Sequence, residues 1–517
     1  MSFGLDKEVP LPGDVSIPYE ARPYAMWSWE RIGYFHNALA KFARMMDGDF
    51  YAPPGTYRYL NSASLPNPVE RVRNDARCVF ELWSRGELSE NRKQQILDDA
   101  RREAAALVNL QDHRGVVLCR NASEALSYFL WLSDVMEGGR TWSPEISTKM
   151  VLSTDVENPS IQREIFIIKD HSNADRSDSI TTYPEFASQR PLNYKPPAPH
   201  ATGLRWGHFE VARVGEIESL LHLHEFMKEE NPSVLILSHV LRTTGRELPI
   251  AEWIKKAREW KVKYHPESPD LFVCIDGAQA LGNINVDINT LDCDMYVGCG
   301  QKALQGETVG LLYVNPDNPR IRAGMQRVRD LQPDTQVTLR GMFHDDWGVT
   351  PNVDDDISYA DIAGFNSCIA RLKAIDMVRG NDFSSLAAHR TVLRDRCAEG
   401  LMHIKKKTGL PIELLDEQNG TSFIFAFRIG KDPFMLAGGH RDAFSNPEGI
   451  FEPGAMHNLE MPTESPGKTI AQNLYKNGVG IAFLRRGNIF RVSFSEQTTY
   501  EDVEGFLLEL EKILIEY

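Results

Sequence analysis

The chain has 517 residues, with 57 Lys and Arg against 72 Asp and Glu, for a net charge of −15. Hydrophobic residues make up 42% and charged residues 25%, the balance of a folded chain rather than a disordered one. An acidic surface repels phosphate backbones, and no apolar run approaches the roughly 20 residues a membrane helix needs, so neither nucleic acid nor membrane is expected as a partner.

Residues 1–14 hold Asp, Lys and Glu with several Pro and Gly and no apolar stretch of the secretory kind. The seven cysteines are scattered and form no CxxC pair, which suits reduced thiols and a cytoplasmic location. Residues 1–60 read as an irregular arm with a short helix near 28–46. An amphipathic, charge-laced helical pattern covers 68–108. Short apolar strands follow at 116–119, 150–153, 164–168, 234–238, 271–275, 295–298 and 310–314, with helices at 122–135, 216–229 and 249–261 among them. Alternation of this kind predicts an α/β fold with a mainly parallel sheet covered on both faces.

After about 335 the pattern changes. Two long helices are predicted at 357–380 and 384–408. Then come a strand at 422–428, a helix at 468–476, strands at 479–484 and 489–494, and a last helix at 500–515, together an α+β module. Two long turn-rich stretches, 170–206 and 430–467, have the character of lids or surface insertions.

Chemistry concentrates at the ends of the apolar strands. The segment "FVCIDGAQALG" ends a strand in Asp276 and Gly277, and ligands of parallel sheets bind beyond the carboxyl ends of strands. A second segment, "DMYVGCGQK", ends a strand in a Gly-flanked Lys302, so an acid and an amine can face one small molecule. "RNASE" at 120–124 joins a strand to a helix whose first amides form an anion site, or else a plain N-cap with Ser123 in that role. Ser238 and His239 end a third strand. The stretch "GCGQKA" fits a dinucleotide loop only formally, because it lies late in the chain. His222 and His224 are two apart on a helix and do not share a face, so no metal site is expected.

Eight segments fall in one order: "YLNSAS" at 59–64, "RNASEAL" at 120–126, "DVENPS" at 155–160, "SHVLRTTG" at 238–245, "DGAQALG" at 276–282, "GCGQKALQG" at 298–306, "GVTPN" at 348–352 and "RVSFSEQTTYEDVEGFL" at 491–507. In this the chain resembles the fold-type I pyridoxal phosphate (PLP) enzymes, in the group of class V aminotransferases, cysteine desulfurases and isopenicillin N epimerase-like proteins. The resemblance implies a seven-stranded, mainly parallel sheet in a large PLP-binding domain (91–335) and a smaller α+β domain (336–517). An N-terminal arm and helix (1–90) would pack with the small domain.

It also implies roles. Lys302 would carry the Schiff base, and Asp276 would pair with the pyridinium nitrogen. Gln279, with His239 near it, would meet the ring phenolic oxygen. Ala122 and Ser123 would bind the phosphate, with Cys299 and Gln301 where relatives place phosphate ligands. Asn158 stands where relatives stack a His or an aromatic ring on the cofactor. Thr350 matches a Thr that reaches the phosphate from a second subunit, which implies a homodimer with shared active sites. Arg491 would clamp the substrate carboxylate, with Ser62 and Ala63 also at the substrate.

Two departures shape the expected activity. Asn158 supplies no His acid or base, and the loop "FLRRGN" at 483–488 lacks the cysteine that desulfurases carry before the carboxylate Arg, which argues against persulfide chemistry. The expectation is action at the α-carbon of an amino acid through external aldimine and quinonoid intermediates, as a lyase, epimerase or cyclase in specialised metabolism. An aminotransferase using a keto-acid is the alternative, and a catalytically dead binding subunit is a remoter one.

Overall fold

The computed structural model describes residues 58–63, 70–122, 124–126, 148–152, 209–214, 220–232, 234–267, 269–306, 308–314, 318–319, 321–322, 342–344, 349–351, 358–379, 384–415, 422–430, 466–484 and 488–516. The helix expected at 28–46, the strand at 164–168, the insertion at 170–206, residues 431–465 of the insertion at 430–467, and residues Ser123 and Asn158 lie outside these.

In chain order, the described elements of the first part are β1 (Arg58–Tyr59), α1 (Glu70–Ser84), α2 (Glu90–Leu107), β2 (Val116–Cys119), β3 (Thr148–Leu152), β4 (Phe209–Val214), α3 (Leu220–Glu230), β5 (Val234–Ser238), α4 (Ile250–Tyr264), β6 (Phe272–Asp276), α5 (Ile288–Leu291), β7 (Met295–Cys299) and β8 (Gly310–Val314). The second part holds β9 (Met342–His344), β10 (Val349–Pro351), α6 (Tyr359–Arg379), α7 (Ser384–Thr408), β11 (Ile412–Leu414), β12 (Ile424–Ile429), α8 (Pro466–Lys476), β13 (Val479–Gly480), β14 (Ala482–Leu484), β15 (Ile489–Ser493) and α9 (Tyr500–Glu516).

Seven strands form one sheet in the order β2-β8-β7-β6-β5-β3-β4. β4, β3, β5, β6 and β7 run parallel, while β8 is antiparallel to both β7 and β2. β2 therefore points the same way as β7. Every residue of β2, β5, β6, β7 and β8 is buried, as expected of strands covered on both faces. The sequence pattern does not announce β4, because its "FEVARV" mixes charge into the apolar run.

The helix expected over 68–108 is two helices. Gly86 adopts φ +69, a left-handed conformation costly for other residues, and Ser89 restarts the chain by accepting the Arg92 N–H with its side chain at 3.4 Å. The last helix opens with a reciprocal cap: Thr499 Oγ1 accepts the Asp502 N–H, and Asp502 Oδ2 accepts the Thr499 N–H.

A second sheet, β11-β12-β15-β14, is antiparallel throughout and packs on α7 and α9. The single strand expected at 479–484 is divided. Val479–Gly480 pairs in parallel with Arg58–Tyr59, and Ala482–Leu484 pairs with β15.

The packing departs from the expected boundaries at 90 and 335. α6 shares the apolar core of α1, α2 and the seven-stranded sheet, through Ile362, Phe365, Cys368, Ile369 and Leu372. Leu60, far from α1 in this respect, belongs to the core of the smaller sheet. No helix among the described residues is long and apolar enough to cross a membrane.

Candidate active site

Three neighbouring strands, β5, β6 and β7, end side by side. Ser238 is in register with Asp276, and Asp276 with Val297. Beyond them the chain turns at His239, at Gly277 and at Gly300, so His239, Asp276, Cys299 and Lys302 gather at one end of the sheet. β2 reaches the same end, because Cys119 and Cys299 both pair with Gly310. The helix start at 120–126 is thereby brought to this end of the sheet. Its cap is Asn121 rather than the expected Ser123: Asn121 Oδ1 accepts the Glu124 N–H at 2.9 Å. Glu124 in turn accepts the Arg120 N–H at 2.6 Å. Ala122 lies in the first turn, where amides have no intrahelical acceptor and suit an anion.

The Lys302 loop is fixed by its own backbone. Gln305 and Gly306 donate their N–H groups to Lys302 O and Gly300 O at 3.0 and 2.9 Å, and Gln305 sits at φ +56. The Cys368 thiol of α6 donates to Leu304 O. Burial pushes the Lys302 ammonium below the ordinary lysine value; Arg491 and Arg242 act in the same direction, and Cys299 and Asp276 oppose them. An amine with a depressed pKa is available as a neutral nucleophile and base. Asp276 is 9% exposed, and its Oδ1 accepts the Ala278 N–H at 3.0 Å.

His239 lies deeper. Its backbone N–H donates to Asp276 O at 2.9 Å, and its Nδ1 is 3.0 Å from the Tyr296 hydroxyl. Burial lowers its pKa to about 4, so it is neutral at neutral pH. Burial likewise pushes the Cys299 thiol up to about 11.

The opposite wall comes from the smaller sheet. Arg491 on β15 is 1% exposed and is flanked in register by Ala426 and Ala482. Paired residues share a face of the sheet, so the two alanines leave the guanidinium room. Its Nη1 donates to Arg242 O at 2.9 Å, in the loop after β5.

Residues 60–63 form the seam between the walls. Ser493 N–H donates to Leu60 O, Ala63 N–H donates to Ser493 Oγ at 2.9 Å, and Gln279 Nε2 donates to Ala63 O at 3.2 Å. Ala63, Ala303, Phe423 and Ile424 close it with a small apolar cluster. Asn283 bolts the seam, with Nδ2 donating to Gln279 O at 2.7 Å and Ser422 Oγ at 3.1 Å, and Oδ1 accepting the Phe423 N–H at 2.8 Å.

Thr350 lies on β10, whose β9–β10 hairpin pairs with no other strand among the described residues. Thus Lys302, Asp276, His239, Gln279, Cys299, Gln301, Arg491, Ser62 and Ala63 converge on one site, and Ala122 lies at the same sheet end. Sequence reasoning missed Tyr296, Arg242 and Asn283. Tyr296 reads as one more core residue of an apolar strand, and nothing local marks Asn283 as a link to residue 422.

The site fits a pyridoxal phosphate. Three side-chain atoms here, Ser62 Oγ, Gln279 Oε1 and Gln301 Oε1, are buried without a partner among the described residues. Buried polar atoms are rarely left so unless a ligand or water meets them. Together with a pKa-lowered lysine, a strand-end carboxylate and the helix start at Ala122, they supply the donor and acceptor set that an aromatic aldehyde phosphate requires.

A family model described as aminotransferase class V matches residues 197–421. A cysteine desulfurase of Escherichia coli O1:K1 is 37% identical over 86 residues, 17% of this chain and 19% of that protein. The same values hold for the cysteine desulfurase of Escherichia coli strain K12 / DH10B. The chain thus spans less than a quarter of the length of these curated relatives, 19% in each case. Among solved structures, the complex between the cystine C-S lyase C-DES and its reaction product cysteine persulfide is similar with a TM-score of 0.56 and 16% identity, covering 88% of this chain and 98% of that one. The cysteine desulfurase CsdA from Escherichia coli, in its S-sulfonic acid form, gives 0.54 and 14%, covering 91% and 98%. At such identities the likeness establishes the fold.

Proposed function

We propose that the chain, which has the fold of the type I pyridoxal phosphate enzymes and matches a class V aminotransferase model over residues 197–421, is a PLP enzyme of that family acting at the α-carbon of an amino acid, of lyase, epimerase or cyclase type. The observation that carries this reading is the convergence of a desolvated Lys302 and the Asp276 carboxylate at one sheet end, facing Arg491 across the seam. Bound PLP supplies an electron sink for the bond broken at the α-carbon.

The chain's own groups do the rest. Asp276 holds a proton on a cationic ring nitrogen. Gln279 Oε1 and Ser62 Oγ, without a partner among the described residues, offer themselves to polar groups of cofactor or substrate. Arg491 binds the substrate carboxylate and so fixes which α-carbon bond faces the reacting plane. Lys302, released from its covalent role, moves the proton at its Nζ.

The cysteines weigh against the desulfurase route. Six of the seven are buried, and the exposed one, Cys78, lies on α1. Cys299, beside Lys302, is 1% exposed with its thiol held up at about 11, unsuited to forming a thiolate nucleophile. The similarity to a C-S lyase structure supports a lyase reading. The description of the matching family model favours a transaminase as the second reading. A homodimer follows from the match of Thr350, on the β9–β10 hairpin, to a Thr that in the family reaches the phosphate from a second copy.

Borohydride reduction of the loaded protein and peptide mapping should label Lys302, and Lys302→Ala should lose the label and slow turnover at least about 10²-fold. Labelling of another lysine would overturn the site. An amino-acid scan with product identification by mass then separates the reactions, and strict dependence on a keto-acid would sink the lyase reading.

A further inference from the structure

His239, which the resemblance places near the ring oxygen, makes a buried pair with Tyr296, to which the roles above give no part. His239 is 6% exposed and Tyr296 is fully buried, and the rings meet edge to face with centroids 5.9 Å apart. Tyr296 is fixed in place. It is the second residue of β7, its ring covers Gly277 so closely that a Cβ there would fall on it, and it packs edgewise on Tyr313. Its hydroxyl is therefore delivered to one point.

Burial and hydrogen bonding fix where the protons sit. Burial holds the Tyr296 phenol protonated, far above its usual range. A buried O–H needs an acceptor, and among the described residues His239 Nδ1, at 3.0 Å, is the one it has. Nδ1 must then be the unprotonated nitrogen. Since desolvation also keeps the ring neutral, the single ring proton is on Nε2. Nε2 makes no hydrogen bond to a described residue, and His239 stands next to the Asp276 strand end, its N–H bonded to Asp276 O.

We propose that Tyr296 is a positioning residue that locks His239 as the neutral Nε2–H tautomer, making His239 a fixed hydrogen-bond donor to an anionic oxygen in the cofactor cavity rather than a general base. The donor role rests on the PLP reading above; the tautomer does not. His239 has no basic lone pair facing the cavity at neutral pH, so proton transfer at the α-carbon falls to Lys302. Tyr296 sets the sense of the donor without touching the cofactor.

The test uses full-length protein labelled with 15N-histidine, free of cofactor, with His239→Asn to assign the resonances. Long-range proton–nitrogen correlation at pH 7 should show His239 as the Nε2–H tautomer. In Tyr296→Phe it should move to the Nδ1–H form or a mixture. In the loaded protein the same variant should shift the pH midpoint of the cofactor absorbance by roughly one unit, as expected for loss of a fixed donor to an ionising oxygen. An Nδ1–H tautomer in the unsubstituted protein overturns the proposal, as does a Phe variant with unchanged tautomer. A changed tautomer with an unmoved absorbance midpoint retains the lock and refutes the donor role. If Tyr296→Phe does not fold, 3-fluorotyrosine incorporation serves instead: the more acidic phenol should shift the His239 Nδ1 resonance, and an unmoved resonance counts against the pair.

Discussion

The two walls of the site are held by different forces. The wall formed by β5, β6 and β7 rests on parallel ladders whose residues are all buried, with Val234, Leu235, Ile236, Leu237 and Ile275 fully so. Its functional groups sit just past the last ladder bonds and carry little of the fold. The wall formed by β15 is attached through buried polar and charged groups. Arg390 and Arg394 of α7 donate to backbone carbonyls at 283 and at 422 and 424, and Arg371 pairs with Glu496 while both are nearly inaccessible. Position and stability are therefore separable on the first wall and coupled on the second.

The coupling can be broken most severely at Glu496. Glu496→Gln leaves the Arg371 guanidinium buried without its carboxylate and should cost about 3–5 kcal/mol in urea unfolding. The double variant Arg371→Met, Glu496→Gln should recover much of that. Equal losses in single and double variants would show that the pair does not fasten the wall.

A smaller effect is expected on the first wall, through pH. His239 titrates near 4 when folded and near 6.5 when unfolded, so the unfolded chain takes up the proton first. Its contribution is complete above about pH 6.5 and is lost as pH falls toward 4. That loss amounts to roughly 3 kcal/mol, and His239→Asn should remove this part of the acid sensitivity. An identical pH profile in the variant would mean that the ring is more hydrated than its burial implies.

The smallest change sharpens the contrast at the seam. Asn283→Ala should lower stability by about 1–3 kcal/mol, from unsatisfied groups at Gln279 and Phe423. It should also weaken amino-acid binding several-fold, with the borohydride-labelled lysine unchanged. Loss of cofactor rather than substrate would assign Asn283 to the first wall.

The first wall was legible in the sequence and the second only in part. Asp276 announces itself because it ends a short apolar run and Lys302 because it closely follows another, and placement at the strand ends follows from the parallel pattern. Arg491 was found only through its motif, since position alone on a short strand does not distinguish it. The division of 479–484 was invisible, because the partner of Val479 is Arg58, and no local pattern encodes so distant a pairing. The break at 85–89 was visible in kind, as Gly86 followed by Ser89, yet helical periodicity on both sides concealed it. Asn283, Arg390 and Arg394 carry no local mark of burial in the sequence, yet they are buried.

One consequence of the seam concerns the order of events on the ribosome. The strand at 58–59 waits for residues 479–480, while the ladders from β5 to β8 complete within a span of 234–314. Domains emerging first tend to fold first, and distant pairings close late. The half that holds the lysine is thus assembled while the carboxylate clamp is still being translated, and the amino-acid pocket comes into existence only once residue 491 has emerged.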